Sequence, residues 1–148
     1  MLAAEVLIAA WALIICLIDF RTKRIPNALC LVAIVFGVGY MLSTGSTALG
    51  AHWVSALAAA GLGLVLTVPA WLMGWLGGGD VKLLFAIALL AGWHLTLISF
   101  AIAGLIAGLA LIIMLWLSRY MGFTLPRKKW IPFGSALSVG LMIAMGMS

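Results

Sequence analysis

Asp80 directly follows a run of three glycines, in a chain that has only three acidic residues. The other two are Glu5 and Asp19. A carboxylate in the middle of a membrane helix costs roughly 2.5–3.5 kcal/mol on insertion scales, so a strongly apolar chain that retains two aspartates is under some functional constraint. Two such carboxylates indicate acid/base chemistry.

The chemistry depends on whether the helices that carry Asp19 and Asp80 are adjacent. At about 4 Å and an effective dielectric constant near 20, two ionised carboxylates repel by roughly 4 kcal/mol, so one would hold a proton while the other stays ionised. The ionised member can take a proton from water as the water attacks a peptide carbonyl, and the protonated member can donate to the developing oxyanion. Because the titration belongs to the pair, acid and base are not assigned individually.

The composition sets the environment of these carboxylates. Hydrophobic residues make up 67% of the chain and charged residues 7%, which leaves too little polar surface for a soluble globular protein. We therefore expect an all-α integral membrane protein with one membrane-embedded domain over residues 1–148. Apolar runs between polar or glycine-rich breaks predict about six helices, at 2–18, 28–42, 53–75, 81–93, 95–118 and 131–147. The fourth and fifth would form a hairpin that turns near Gly92.

The basic residues predict the orientation of the helices. With six spans and the N-terminus outside, all eight basic residues fall on one side, which identifies that side as the cytoplasm. The motif loops with Asp19 and Asp80 are then cytoplasmic, whereas Glu5 lies about 21 Å from Asp19 toward the outer side. The first helix is expected to be retained, since it lacks the basic start of a signal peptide.

Several turn residues have a simple structural interpretation. Pro26 prevents helix continuation and favours extended backbone at Ile25, and Asn27 is predicted to cap the N-terminus of the second helix. Pro132 and Gly134 are likewise expected in a turn that opens the last helix. The glycines at 77–79 lack Cβ atoms, so they would let the backbone bend and a substrate strand approach closely.

Two helices carry small residues at a spacing that favours close helix packing. These are Gly104 and Gly108 in one helix, and Ala136, Gly140 and Ala144 in the last helix. Such faces are structural features and do not indicate a reaction type.

Three segments together resemble the motifs of type IV prepilin peptidases, which are membrane aspartic proteases of the GxGD type. They are Asp19 with IPN at 25–27, GGGDVKLL at 77–84, and IPFG at 131–134. The resemblance implies that Asp19 and Asp80 are the catalytic pair and that no cofactor is needed. The residues that it implies for substrate binding or motif support are Gly77, Gly78, Gly79, Lys82, Pro26, Asn27, Pro132 and Gly134.

The resemblance also implies a substrate and a location. Members of this family remove a short basic leader from prepilin or pseudopilin precursors at the cytoplasmic face of the bacterial inner membrane. Larger members carry an amino-terminal cytoplasmic region with paired cysteines and methylate the new N-terminus. This chain resembles the short form associated with Flp pili of tight-adherence systems, so methylation is not expected. The precursor and the oligomeric state stay open.

Two other classes of function compete with this hypothesis. A proton-coupled transporter also uses intramembrane carboxylates and glycine-broken helices, but it predicts carboxylates along a path through the bilayer, including Glu5. A non-catalytic subunit of a pilus or secretion assembly would tolerate the replacement of both Asp19 and Asp80 by asparagine.

The remaining polar residues receive structural interpretations. Cys16 and Cys30 fit neither a zinc pattern nor a disulfide framework and are expected to be packing residues. His52 and His94 fall near the outer face, so no metal site is expected. The basic loops are explained by topology and by contact with anionic lipids, and no nucleic-acid partner is predicted.

Overall fold

A computed structural model describes residues 2–121 and 133–147, which fold as an all-helical protein. The helices are α1 (Leu2–Thr22), α2 (Asn27–Thr44), α3 (Trp53–Leu72), α4 (Gly78–Met121) and α5 (Phe133–Met147). Four of them, α1 to α4, are long and apolar enough to cross a membrane. The predicted fold class, an all-α multi-pass membrane protein, is confirmed.

The long helix α4 consists of two helical segments that meet at Gly92. The backbone of Gly92 is non-helical, with φ 75° and ψ −172°. A Cβ atom there would lie 2.5 Å from the Cβ of Ala51, so both the backbone and the available space require glycine. The Ser55 hydroxyl accepts a hydrogen bond from the Trp93 N–H at 2.8 Å. The predicted break near Gly92 is confirmed, and with it the described residues form six helical segments.

The first segment of α4, residues 78–91, crosses the bundle from one end to the other. It begins near the end of α1 and finishes beside the α2–α3 loop, where the Leu49 N–H donates to the Leu90 carbonyl at 3.2 Å. Its residues are the most buried of the bundle, with Leu83 and Ile87 both fully buried. Asp80 therefore stands at the start of the central segment.

The second segment of α4, residues 93–121, returns alongside α5 in the antiparallel direction. A Cβ at Gly140 would meet the carbonyl oxygen of Ser99 at 2.5 Å, and further along Ile106 and Ser135 line the same cavity. The last turn of α1, the start of α4 and the start of α5 consequently share one end of the bundle. We call it the motif end.

Helix boundaries differ from the hydropathy pattern by up to about one turn. The helix α1 continues past residue 18 because the Lys23 N–H still donates to the Asp19 carbonyl at 2.8 Å. It stops at Lys23, where φ is 52°. The helix α3 stops at Leu72 rather than 75, just before Gly74 with φ 76°. Hydropathy detects the end of an apolar run, whereas backbone hydrogen bonding decides the end of a helix.

The expected packing of small residues is confirmed in α5, whereas in α4 the described residues show no such packing. Ala136, Gly140 and Ala144 are buried, and α5 packs closely against α4. By contrast, no described atom lies within 4 Å of the Cβ positions of Gly104 and Gly108, because these glycines lie on a part of α4 that no described helix covers.

This contrast gives a matched pair of stability predictions. We expect Gly140→Ala to destabilise the protein by about 1–3 kcal/mol, because its new Cβ would press on the Ser99 backbone, which cannot rotate away. Gly104→Ala should be neutral or stabilising by up to about 1 kcal/mol, since alanine favours helix. Thermal unfolding in detergent measures both, and equal melting temperatures would contradict the packing of α5 on α4.

Candidate functional site

Asp19 lies in the last turn of α1, and its side chain is only 2% exposed. Its Oδ2 accepts a hydrogen bond from the Ser135 N–H at 2.7 Å. Ser135 belongs to the first turn of α5, where backbone N–H groups have no partner within the helix and the helix dipole favours negative charge. The Asp19 carboxylate therefore joins the end of α1 to the start of α5.

Asp80 lies in the first turn of α4 and is 1% exposed. Its Oδ2 accepts a hydrogen bond from the Gly77 N–H at 3.0 Å. Gly77 directly precedes the helix, so this bond is the contact that an acidic residue at the third helical position makes back to the N-cap residue. Each of the two carboxylates is thus bound by a backbone N–H at a helix N-terminus of the motif end.

Ile25 packs between the start of α4, which carries Asp80, and the start of α5, which binds Asp19. A Cβ at Gly79, next to Asp80, would lie 3.1 Å from the Ile25 Cβ. A Cβ at Gly134 would lie 2.5 Å from the Ile25 Cδ1 and 2.9 Å from the Asp19 Oδ2. The missing side chains of Gly79 and Gly134 therefore leave the space that Ile25 fills. The structure brings all three motif segments together around this side chain.

Ile25 was not among the site residues that the sequence predicted. Its only local signal is its position directly before Pro26 in the first motif. The sequence left open whether α1 and α4 are adjacent; in the structure the principal partner of α1 is α5. Asp19 and Asp80 are therefore connected indirectly: α5 binds Asp19, and Ile25 packs against both α5 and the start of α4.

The glycine run has a different role from the predicted bend. Neither Gly78 nor Gly79 has a positive φ, and both belong to α4. A Cβ at Gly78 would lie 3.3 Å from the indole Nε1 of Trp71. The run therefore permits the close approach of Trp71 and Ile25, while the backbone itself starts a regular helix.

Asn27 and Lys82 form a direct contact between α2 and α4. The Lys82 Nζ donates to the Asn27 Oδ1 at 3.1 Å. The prediction that Asn27 caps α2 is wrong, because Pro26 occupies the N-cap position and Asn27 is the first helical residue. Its side-chain amide instead holds Lys82, so Pro26, Asn27 and Lys82 all lie at the motif end.

Four of the five described basic residues lie at the motif end, and the fifth, Arg119, lies beyond it on α4. Arg21, Lys23 and Arg24 are exposed between α1 and α2, Lys82 is exposed at the start of α4, and Arg119 is exposed in its last turn. Pro132 and the basic residues at 127–129 lie outside the described residues.

Metal ligands are not clustered in the described part of the chain. It holds no group of three or more His, Cys, Asp or Glu side chains that could bind an ion. His52 lies at the opposite end of the bundle, where its Nδ1 accepts from the Val54 N–H at 3.4 Å. Cys16 and Cys30 are free cysteines, half-buried and buried respectively. The Oδ2 atoms of Asp19 and Asp80 are bound by backbone N–H groups.

The fold and the two buried aspartates define a multi-pass membrane protein with a carboxylate site at one end. Residues 6–113 match the model of the type IV leader peptidase family, which is well over half of the chain. The chain belongs to this family. The matched region contains Asp19, Ile25 and Asp80 but ends before Gly134. No curated protein and no solved structure matched the chain.

Proposed function

We propose that this protein is a membrane aspartic endopeptidase that removes the short basic leader from prepilin precursors, with Flp-type pilins as the first candidates. The observation that carries the proposal is the burial of Asp19 and Asp80 at one end of the bundle, around Ile25, in a member of a leader peptidase family. The basic residues at that end support a cytoplasmic site in the bacterial inner membrane.

In the proposed reaction, Asp19 and Asp80 share one proton. The ionised carboxylate takes a proton from a water molecule as the water oxygen attacks the scissile carbonyl carbon, and the protonated carboxyl donates its proton to the carbonyl oxygen. The tetrahedral intermediate then collapses: one of its hydroxyl groups returns a proton to the ionised carboxylate as the C=O bond reforms, the C–N bond breaks, and the leaving nitrogen takes a proton from the protonated carboxyl, so the pair again holds one proton. The products are a leader with a new carboxyl end and a pilin with a new amino end.

Hydrogen bonds to the backbone orient the proposed pair. The Ser135 N–H binds Asp19 and the Gly77 N–H binds Asp80, in each case through Oδ2. Helix N-termini are rigid elements, so each carboxylate is already ordered before the substrate binds. Binding therefore does not have to restrict the rotamers of these side chains. Both groups are almost fully buried, so the substrate would have to displace part of their cover as it binds.

The positions of the three acidic residues argue against a proton pathway. Glu5 lies in the first turn of α1 and Asp19 in its last turn, so these carboxylates stand at opposite ends of one span. No further carboxylate side chain exists in the chain to bridge that distance. A transporter would need such intermediate sites along its path.

Co-expression with a prepilin tests the proposed function. A Flp-type prepilin is expressed in a host without a leader peptidase, with and without this chain, and the pilin mass is measured. We expect the mass to fall by that of the leader only when the chain is present. Glu5→Gln serves as the control and should leave cleavage unchanged. Full-length pilin in every case, with Flp-type and pseudopilin precursors alike, would contradict the proposal.

A further inference from the structure

An apolar trough lies directly beside Asp19, between α1, α4 and α5. Its volume is about 300 Å³. The helix α1 contributes Cys16 and Phe20, α4 contributes Ile106 and Ala110, and α5 contributes Ser135, Ala136 and Val139. We call it the α5 groove.

The shape of the α5 groove follows from the packing of the three helices. Both α1 and α4 pack on α5, which forms the floor of the trough. Each helix lines it with a pair of residues four positions apart, such as Cys16 with Phe20 and Ile106 with Ala110, and α5 adds Ala136 to its pair. Residues four apart lie one above the other on a helix, so the groove runs parallel to the helix axes.

The groove is continuous with the carboxylate site. Ser135 lines the groove, and its backbone N–H donates to the Asp19 Oδ2 at 2.7 Å. Cys16 precedes Asp19 by nearly one helical turn, about 4.5 Å along α1. An occupant of the groove would therefore extend from Asp19 toward the middle of the bundle.

We propose that the α5 groove binds the apolar helical segment of the substrate that lies on the membrane side of the scissile bond. This inference rests on the proposed function. The surface that lines the groove is apolar. An extended peptide would leave its backbone N–H and C=O groups without partners there, whereas a helix satisfies its own. A lipid acyl chain also fits an apolar trough, but it offers no peptide bond to Asp19.

A second apolar trough provides the comparison. It has a volume of about 190 Å³ and lies between α1 and α2, with Leu7, Trp11, Val32 and Phe36 in its lining. Trp11 precedes Asp19 by about 12 Å along α1, so this trough does not reach the carboxylates. Substitutions in its wall are matched controls for substitutions in the α5 groove.

Disulfide cross-linking through Cys16 tests the inference. The chain carries Cys30→Ser, to leave one cysteine, and Asp80→Asn, to hold the uncleaved precursor. Single cysteines are placed in turn along the first helical turns after the leader. We expect adducts with Cys16 at positions three or four residues apart, and none after Cys16→Ser. A precursor that the wild-type chain cleaves but that forms no adduct at any position would overturn the inference.

The effect of a narrower groove on KM tests the same inference independently of cross-linking. We expect Val139→Trp, or the milder Ala110→Leu if the first does not fold, to raise KM for the full precursor at least about tenfold. Cleavage of a short peptide that ends soon after the leader should not change. Val32→Trp, in the comparison trough, should match the wild type with both substrates. Equal KM values for groove and control variants would show that only lipid occupies the groove, and the inference would fail.

The two failures are distinguishable. If the wild-type chain cleaves no precursor, the proposed function is wrong. If it cleaves normally while neither adducts nor KM effects are seen, the endopeptidase proposal stands and the substrate helix binds elsewhere.

Discussion

Asp19→Asn and Asp80→Asn are each expected to reduce prepilin cleavage by a factor of about 10²–10⁴. We expect this result because an amide can neither take a proton from water nor donate one as an acid does. The proposed mechanism requires two carboxyl groups that share one proton, so replacing either one prevents the proton transfers of the reaction. Purified enzyme in detergent and single-turnover cleavage, with the pilin mass as readout, measure the loss.

The same substitutions should leave the fold intact. In the Asp80→Asn variant the new amide oxygen can still accept from the Gly77 N–H, and in the Asp19→Asn variant it can still accept from the Ser135 N–H. Asparagine also caps helices about as well as aspartate does. Melting temperatures close to that of the wild type are the control for a purely structural role. Cleavage at near wild-type rates in either variant, at normal membrane levels, would remove that residue from the chemistry.

Gly134→Ala is expected to reduce cleavage by about 10–100-fold. The new Cβ would lie 2.9 Å from the Asp19 Oδ2 and 2.5 Å from the Ile25 Cδ1, so both groups must move. A displacement of about 1 Å at a reacting group can cost about 10²-fold in rate. Gly146→Ala, in the same helix, has no described atom within 4 Å of its Cβ and should cleave like the wild type.

A substitution at Ile25 distinguishes the effect of the new methyl group at position 134 on Ile25 from its effect on Asp19. Ile25→Val removes the Cδ1 atom but leaves the Asp19 contact in place. The Ile25→Val/Gly134→Ala double variant should therefore regain stability without regaining full activity. Wild-type cleavage by Gly134→Ala alone would contradict the assigned packing of α5 against Asp19.

Much of the fold could be predicted from the sequence because each span is a local property. Apolar runs predicted the helices, and the glycine at 92 predicted the break in α4. The family was predicted from Asp19 together with the segments at 25–27, 77–84 and 131–134, and the match over residues 6–113 confirms it.

The contacts within the site could not be predicted in the same way. The role of Ile25 depends on Gly79 and Gly134, which are far from it in sequence and carry no side chain that would indicate a partner. The error at Asn27 has a similar origin, since a distant lysine competes for the amide that a local pattern assigns to the helix. Local sequence patterns do not indicate which residue distant in sequence will contact a given side chain in the folded protein.

The most direct test of the central claim is the cleavage rate of the Asp19→Asn/Asp80→Asn double variant beside the two single variants. When two residues act as one catalytic unit, replacing either one already removes the function of the unit. The rate losses of the two single variants therefore do not multiply in the double variant. We predict that the double variant cleaves at about the rate of the slower single variant. A double variant slower by the product of the two separate losses, or wild-type cleavage rates in either single variant, would contradict a shared aspartyl pair.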